Sequence, residues 1–304
     1  MKKHVAVIMG GWSPERDISL ISGEGCAKAL EASNYQVSRI DAGRNLVEQL
    51  QDVKPDVIFN ALHGVGGEDG VVQGVFELLE IPYTHSGVMA SALAMDKIQA
   101  KKVFAAAGIS VAPDMKIFTS NFSSDFSEHP MTPPYVVKPV NQGSSVGIEL
   151  VKDTTQDIPA ILKNSEWPLM VEAFVPGREF SCAIWQGKPS EVMEIRASND
   201  FYDFDAKYTE GGSTHIVPAE ISADIRAAIQ AQTLTAHDAL GCKGVTRTDF
   251  RLDERDDGYG LIILELNTQP GMTPFSLVPE MVACEGVSYE ELVSWMVEDA
   301  SCQR

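Results

Sequence analysis

The sequence predicts an α/β protein built as three units, the first of them an open α/β domain, and three observations carry that prediction. Short apolar strands alternate with helical stretches through the amino-terminal part. Two glycine-rich loops, GGWSPER and LHGVGGEDG, fall after strands, where open sheets gather their ligands. Near the other end, GVTRTDF and ILELNTQPGM read as two strands that carry an arginine and three oxygen-bearing side chains and finish in a glycine turn.

The first unit, residues 1–86, opens with a strand over 4–9, a helix over 19–32 and strands over 36–40 and 56–60. A helical VQGVFELLE and a short strand at Pro82 and Tyr83 complete it. The second unit, 87–176, starts with a helix through GVMASALAMDKIQAKKVFAAAG; Pro130, Pro133 and Pro134 then mark a loop before an apolar strand over 135–137. LMVEAFVPGREF reads as a strand leading into a turn. The third unit, 177–304, carries alternating segments over 179–185 and 191–196, a helix over 223–240, the two oxygen-bearing strands and a last helix over 289–297. No repeat or low-complexity tract interrupts this order.

With 304 residues, 44% of them hydrophobic and 22% charged, the chain has the composition of an ordered globular protein. Its 24 basic residues against 43 acidic ones give a charge of −19, which disfavours nucleic acid as a partner. The five cysteines are scattered without CxxC spacing and read as reduced, buried thiols. No apolar run reaches membrane-spanning length, and MKKHVAVIMGG reads as a first strand and not an export signal, so a cytoplasmic location is expected.

The chemistry concentrates in the last strand pair. Residues two apart on a strand share a face, so Asp249, Glu265 and Asn267 can offer hard oxygen ligands to one point, with Arg247 beside them. Mg²⁺ prefers that donor set. In VVKPVNQGSSVG, Lys138 ends an apolar strand and requires an anionic partner, and the Gly and Ser loop after it suits either phosphates or a plain hairpin. GGWSPER lacks GxGxxG, which argues against a dehydrogenase; Glu15 there either opens a helix or holds an ammonium group. Glu172 and Glu179 flank a turn, where a nucleotide base and its ribose hydroxyls find suitable partners. FYDFDAKYTEGG reads as a lid or a surface excursion around Lys207 and Tyr208.

GGWSPERDISL, ALHGVGGEDG, GVMASALAMDK, VVKPVNQGSSVG, FYDFDAKY, RTDF and LELNTQPGMTPFSLVP, in that order over nearly the whole chain, resemble the D-alanine:D-alanine ligases of the ATP-grasp superfamily. The resemblance implies a three-domain ATP-grasp architecture with a Rossmann-like first domain and ATP between the other two. It implies that Lys97 and Lys138 contact the phosphates, Glu172 the adenine edge and Glu179 the ribose, with Ser144, Ala173, Val175 and Lys207 completing the ATP site. Asp249, Glu265 and Asn267 would hold magnesium, as two ions, with manganese a substitute. Glu15 would take the ammonium of the first D-alanine, with His63 nearby, and Ser144 and Tyr208 would link to Glu15. Arg247 and the Gly271 N–H would face the oxyanion, and Ser276 and the Leu277 N–H the second carboxylate. This chain departs from the family at Ala173, where many relatives carry lysine, and at Asn141–Gly143, where REG is common.

The activity that the resemblance implies is ATP-dependent ligation of two D-alanines through an acyl phosphate, for peptidoglycan synthesis, by a homodimer without membrane or nucleic-acid partners. Tyr208 favours the dipeptide over a D-lactate depsipeptide. The alternatives are a ligase with D-lactate or D-serine as second substrate, and a nucleotide-binding regulator without ligation.

Overall fold

A computed structural model of the chain describes residues 2–117, 129–143, 147–157, 162, 168–197, 212–274 and 276–304. Their strands form three sheets, each from a separate stretch of chain.

The first sheet is parallel, with β1 (His4–Gly10) between β2 (Gln36–Ala42) and β3 (Val57–Asn60). The β1 residues Val5 to Ile8 are fully buried because both faces are covered. Val5 and Val7 pack with Cys26, Ala27 and Leu30 of α1 (Arg16–Ala32). Ala6 and Ile8 face the other way, onto Leu46 and Leu50 of α2 (Leu46–Val53) and Val72 and Phe76 of α3 (Val71–Leu78). The strand alternation therefore sorts β1 between two helical layers.

The helix expected to run unbroken from 87 to 108 is two helices, α4 (Val88–Met95) and α5 (Lys97–Ala106). They part at Asp96, whose backbone is extended (ψ 96°) and whose carboxylate accepts the N–H groups of Ile98 and Gln99 at 3.1 and 3.0 Å. Asp is a favoured N-cap, and the Ala- and Met-rich sequence around it hides the break from a reading by periodicity.

The central sheet is antiparallel, in the order β4 (Asp114–Ile117), β7 (Leu169–Ala173), β5 (Tyr135–Pro139), β6 (Glu149–Val151). Tyr135, Val137, Leu169 and Val171 point into one core, which leaves Lys138 and Glu172 together on the opposite face.

The third sheet adds β8 (Arg178–Trp185), β9 (Lys188–Pro189), β10 (Met193–Ala197), β11 (Ser213–Ile216), β12 (Thr246–Asp253) and β13 (Gly260–Asn267), in the order β11-β10-β8-β12-β13 with β9 on β8. One face packs on α6 (Ala223–Leu240) and, unexpectedly from chain order, on α4 and α5 through Ala90, Ala94, Ala100 and Phe104. Residues of α7 (Leu277–Cys284) and α8 (Tyr289–Asp299) join Ala183, Met193 and Ile195 of this sheet and Val57 and Phe59 of the first in one core. That shared core fixes the first unit against the third.

Of the five cysteines, Cys26, Cys182 and Cys242 are buried thiols, while Cys284 is exposed and Cys302 half-buried. No helix among the described residues is long and apolar enough to cross a membrane.

Candidate active site

Three segments meet around a cavity of about 190 Å³ at the carboxyl ends of the first sheet. From the first unit come Glu15, at the N-cap of α1, and His63 and Glu68, in the loop after β3. The two loops are tied together: the Ser13 hydroxyl donates to the His63 carbonyl at 2.7 Å and accepts the Glu15 N–H at 3.2 Å. A Cβ on Gly64, whose φ is +70°, would stand 2.5 Å from Glu15 Oε2, so only glycine lets the loops close this far. The His63 imidazole is buried beside Arg247, and burial first and that charge second push its pKa down to about 4. It is therefore neutral at pH 7, and its Nε2 has no hydrogen-bond partner among the described residues.

Glu68, which the motifs did not single out, is buried with its Oε1 accepting the Gly64 N–H at 2.9 Å. Burial, then the Glu15 carboxylate, push its carboxyl up to about 8. A point 3.5 Å from Glu68 Oε1 and 3.4 Å from Glu15 Oε2, the position of a Cβ on Gly143, measures how closely the two acids face each other. Its place in a glycine loop after a strand is the signal that could have found it, as for His63.

The third sheet supplies the opposite wall. Arg247 pairs with Asn267, and Asp249 with Glu265, across the antiparallel β12–β13 ladder, as the spacing of two predicts. Arg247, Glu265 and Asn267 line the cavity. Asp249 lies behind it: Arg247 Nε and Nη2 donate to its carboxylate at 2.9 and 2.8 Å, and the Ser181 hydroxyl donates at 2.7 Å. No group of three His, Cys, Asp or Glu gathers at metal-ligating range among the described residues. An ion here would take its third oxygen from the Asn267 carboxamide, whose Oδ1 is oriented by the Gln269 N–H at 2.8 Å. Two carboxylates and a carboxamide are a donor set that suits magnesium.

Past β13 the chain turns through Gly271 to Ser276, the N-cap of α7, whose Oγ accepts the Thr273 N–H at 3.0 Å. A Cβ on Gly271 would sit 3.2 Å from that Oγ, and Leu277, as first residue of the helix, presents an N–H with no intrahelical acceptor.

Lys97, first residue of α5, reaches the same cavity, donates to the Gln142 carbonyl at 2.6 Å and stands 3.6 Å from Glu265. Of the other nucleotide candidates, Lys138, Glu172 and Ala173 lie on the central sheet, Val175 in the turn after it and Glu179 on β8. Lys138 donates to Glu172 Oε1 at 2.6 Å, and Lys101, one helical turn beyond Lys97, donates to its Oε2 at 2.7 Å. Burial opposes ionisation of Glu172, but the two lysines hold its carboxyl below the ordinary range. The anionic partner that a buried Lys138 requires is thus Glu172, and Lys101 is the member that sequence reading missed. Ala173 and Val175 are buried at the turn after β7, and Glu179 pairs with Arg251 at 3.0 Å. Ser144, Lys207 and Tyr208 lie outside the described residues.

One parallel and two antiparallel sheets, a lysine–glutamate cluster on the central one, carboxylates on the third and a cavity between loops make up a fold shared with solved ligases of the ATP-grasp type. The family models for the D-Ala-D-Ala ligase N-terminus and C-terminus match residues 41–86 and 103–298. The chain is 56% identical to the D-alanine–D-alanine ligases of Agrobacterium fabrum and Parvibaculum lavamentivorans, over 99% of both chains in each case. Among solved structures it matches the D-alanine–D-alanine ligase from Bacillus anthracis complexed with ATP (TM-score 0.83, 28% identity, 98% of this chain and 97% of that one). It also matches the VanG D-Ala:D-Ser ligase from Enterococcus faecalis (TM-score 0.81, 29% identity, 98% and 99%). The chain belongs to the D-alanine–D-alanine ligase family.

Proposed function

We propose that the protein joins two D-alanines into D-alanyl-D-alanine for peptidoglycan synthesis, with ATP cleaved to ADP and phosphate. The observation that carries this reading is the convergence on one cavity of Glu15 and His63, Lys97, and Arg247, Glu265, Asn267, Gly271 and Ser276. A carboxylate is a poor acyl donor, so an oxygen of the first D-alanine attacks the γ-phosphorus and its bond to ADP breaks, leaving an acyl phosphate. Glu15 holds the ammonium of that first substrate. Lys97 and Lys138 neutralise the phosphates, Glu172, Ala173 and Val175 border the adenine, Glu179 takes the ribose, and Ser144, Lys207 and Tyr208 close over them. Magnesium, held by Asp249, Glu265 and Asn267, supplies charge neutralisation to the triphosphate when bound.

The second D-alanine, its carboxylate received by Ser276 and the Leu277 N–H, releases one ammonium proton to solvent, attacks the acyl carbon as a free amine and passes a second proton to the departing phosphate. Arg247, oriented by Asp249, and the Gly271 N–H face the oxyanion that forms before the bond to phosphate breaks. Water has to be kept from the acyl phosphate, which it would hydrolyse. In chain order the three domains are 1–86, 87–176 and 177–304, with α4 and α5 lending their apolar faces to the last sheet.

The enzyme works in the cytoplasm, where the precursor is made, and as a dimer. Leu78 and Val71 on α3 and Met89 on the adjacent α4 are 85, 59 and 67% exposed, an apolar face that a second copy would cover. Leu78→Lys should shift the protein from dimer to monomer in light scattering; an unchanged mass would remove this face from the interface.

The activity is tested by phosphate release from Mg-ATP with D-alanine, L-alanine, D-alanine plus D-lactate or D-serine, or no amino acid, with products identified by mass. D-alanine-dependent release with the D-Ala-D-Ala mass supports the reading. A dominant ester or D-Ser product would move the second-substrate assignment, and no release above the blank would leave a nucleotide-binding regulator.

A further inference from the structure

Asn60, the last residue of β3, and Gln269, in the turn after β13, are both buried and come from opposite ends of the chain. Neither belongs to the cavity lining, and neither has a part in the steps above. Asn60 Nδ2 donates to Gln269 Oε1 at 2.8 Å and to the Gly67 carbonyl at 3.1 Å, and its Oδ1 accepts the Leu62 N–H at 3.2 Å. Gln269 Nε2 in turn donates to the Leu62 carbonyl, and its backbone N–H holds Asn267 Oδ1 at 2.8 Å. Every side-chain polar atom of the pair is thus engaged, at a depth where a lost partner is costly.

The ends of this network matter. Leu62 and Gly67 bracket the loop that carries His63, and Gly67 also accepts from Gln73 at 3.0 Å, so the loop is fastened from both sides. Gln269 stands two residues after Asn267 and two before Gly271. One side-chain pair therefore connects the loop that shapes the first amino-acid pocket to the turn that carries the carboxamide donor and the oxyanion N–H.

We infer that Asn60 and Gln269 are positioning residues that hold the first D-alanine pocket in register with the Asn267–Gly271 turn. The inference rests on the site assignment above. Substituting one member removes the Asn60–Gln269 bond and leaves a buried amide group of the other short of one partner, a loss that should let the loop and turn drift apart while the nucleotide site on the central sheet stays as it is.

A double-mutant cycle on the full-length enzyme tests it, with Asn60→Leu and Gln269→Met chosen because they retain side-chain volume. Each single variant should raise the KM for the first D-alanine about tenfold, and the double variant about tenfold as well, because both break one connection. The KM for ATP should stay within about twofold of wild type. The rise in melting temperature that D-alanine gives without nucleotide or metal should shrink in the same variants. Losses that multiply to about a hundredfold, or KM values for ATP and D-alanine that rise together, would overturn the inference. If Gln269→Met does not fold, Asn60→Ser reads the same KM split from a smaller change. Glu15→Gln run alongside separates the two readings. A raised D-alanine KM in that variant with none in the bridge variants sinks the bridge alone; the reverse pattern sinks the Glu15 assignment and leaves the bridge standing.

Discussion

On the central sheet Lys101 and Lys138 close on Glu172 from two sides, whereas in the cavity beside β13 three acids, Glu15, Glu68 and Glu265, share the space with Lys97. The first cluster balances its charges inside the protein, and Asp114, 2.9 Å from Lys101, completes it. In the second, among the described residues, Arg247 is matched by Asp249, His63 is neutral and the Glu68 carboxyl is pushed up to about 8, so its acids face an open cavity and not a fixed pair of lysines. A cluster that is already balanced holds its shape before a nucleotide arrives. Acids that line an open cavity suit cations, and the cations that the proposed reaction brings are the amino-acid ammonium groups and magnesium.

The largest effects should come from breaking the cavity side at its chemistry. Arg247→Ala should lower kcat by about 10²–10³, the range for loss of one oxyanion donor, measured by phosphate release under saturating substrates. Glu265→Gln should cost at least as much and show it as a changed dependence on magnesium concentration. Full turnover in the first variant would remove Arg247 from the oxyanion role, and an unaltered magnesium response in the second would remove the metal assignment.

The balanced side should respond in stability first. Glu172→Gln leaves Lys138 buried against a neutral amide and Lys101 with Asp114 as its carboxylate, and removing one partner of a buried ion pair costs about 3–5 kcal/mol. Denaturant unfolding reads it. A loss under about 1 kcal/mol would mean that solvent already screens this cluster, and the contrast between the two regions would collapse.

The pH response sharpens the contrast further. The Glu68 carboxyl, ordinarily near 4.5, is pushed up to about 8 in the folded protein by burial and by Glu15, so the folded state binds this proton more tightly than the unfolded chain. The stability it contributes is complete below pH 4.5, declines as pH rises toward about 8 and is flat above that. Glu68→Gln should remove that decline from a plot of melting temperature against pH without nucleotide or metal. Parallel curves for variant and wild type would show that neither burial nor Glu15 raises this carboxyl in the folded protein.

How much of this was legible in the sequence divides along the same physical line. The wall of the cavity on β12 and β13 could be read because a strand has a fixed period of two, so Arg247, Asp249, Glu265 and Asn267 fell on one face once the ladder formed in register. The βαβ order of the first unit was legible for a similar reason, since apolar runs such as Val5–Ile8 report burial on both faces directly. What local pattern did not carry were contacts made across the chain: Lys101 closing on Glu172, Gln269 reaching Asn60, and α4 and α5 packing on the third sheet while Ile98 of α5 also meets Met170 of the central one. Lys138 shows the boundary well. Its need for an anion came from an ammonium in an apolar strand, but that the anion is Glu172, facing it from the neighbouring strand, needed the β5–β7 register.

Asp96 joins the two regions and gives the smallest of these effects. By capping α5 it sets the first turn of the helix from which Lys97 enters the cavity and Lys101, one turn on, enters the Glu172 cluster. Removing the cap by Asp96→Ala should cost about 1 kcal/mol in stability, because the Ile98 and Gln99 N–H groups lose their acceptor and water replaces it only partly. If α5 only buries apolar surface, the effect ends there and both substrates keep their KM values. If the cap aims the lysines, KM for ATP should rise severalfold, since Lys97 loses its line to the Gln142 carbonyl, while the anchoring of Lys101 by Ala112 and Asp114 should hold the Glu172 cluster nearly in place. Asp96→Asn, which retains the cap oxygen without the charge, should restore both stability and KM. A variant in which Asn restores stability but not ATP affinity would assign the effect to the carboxylate's charge and not to the direction in which the helix begins.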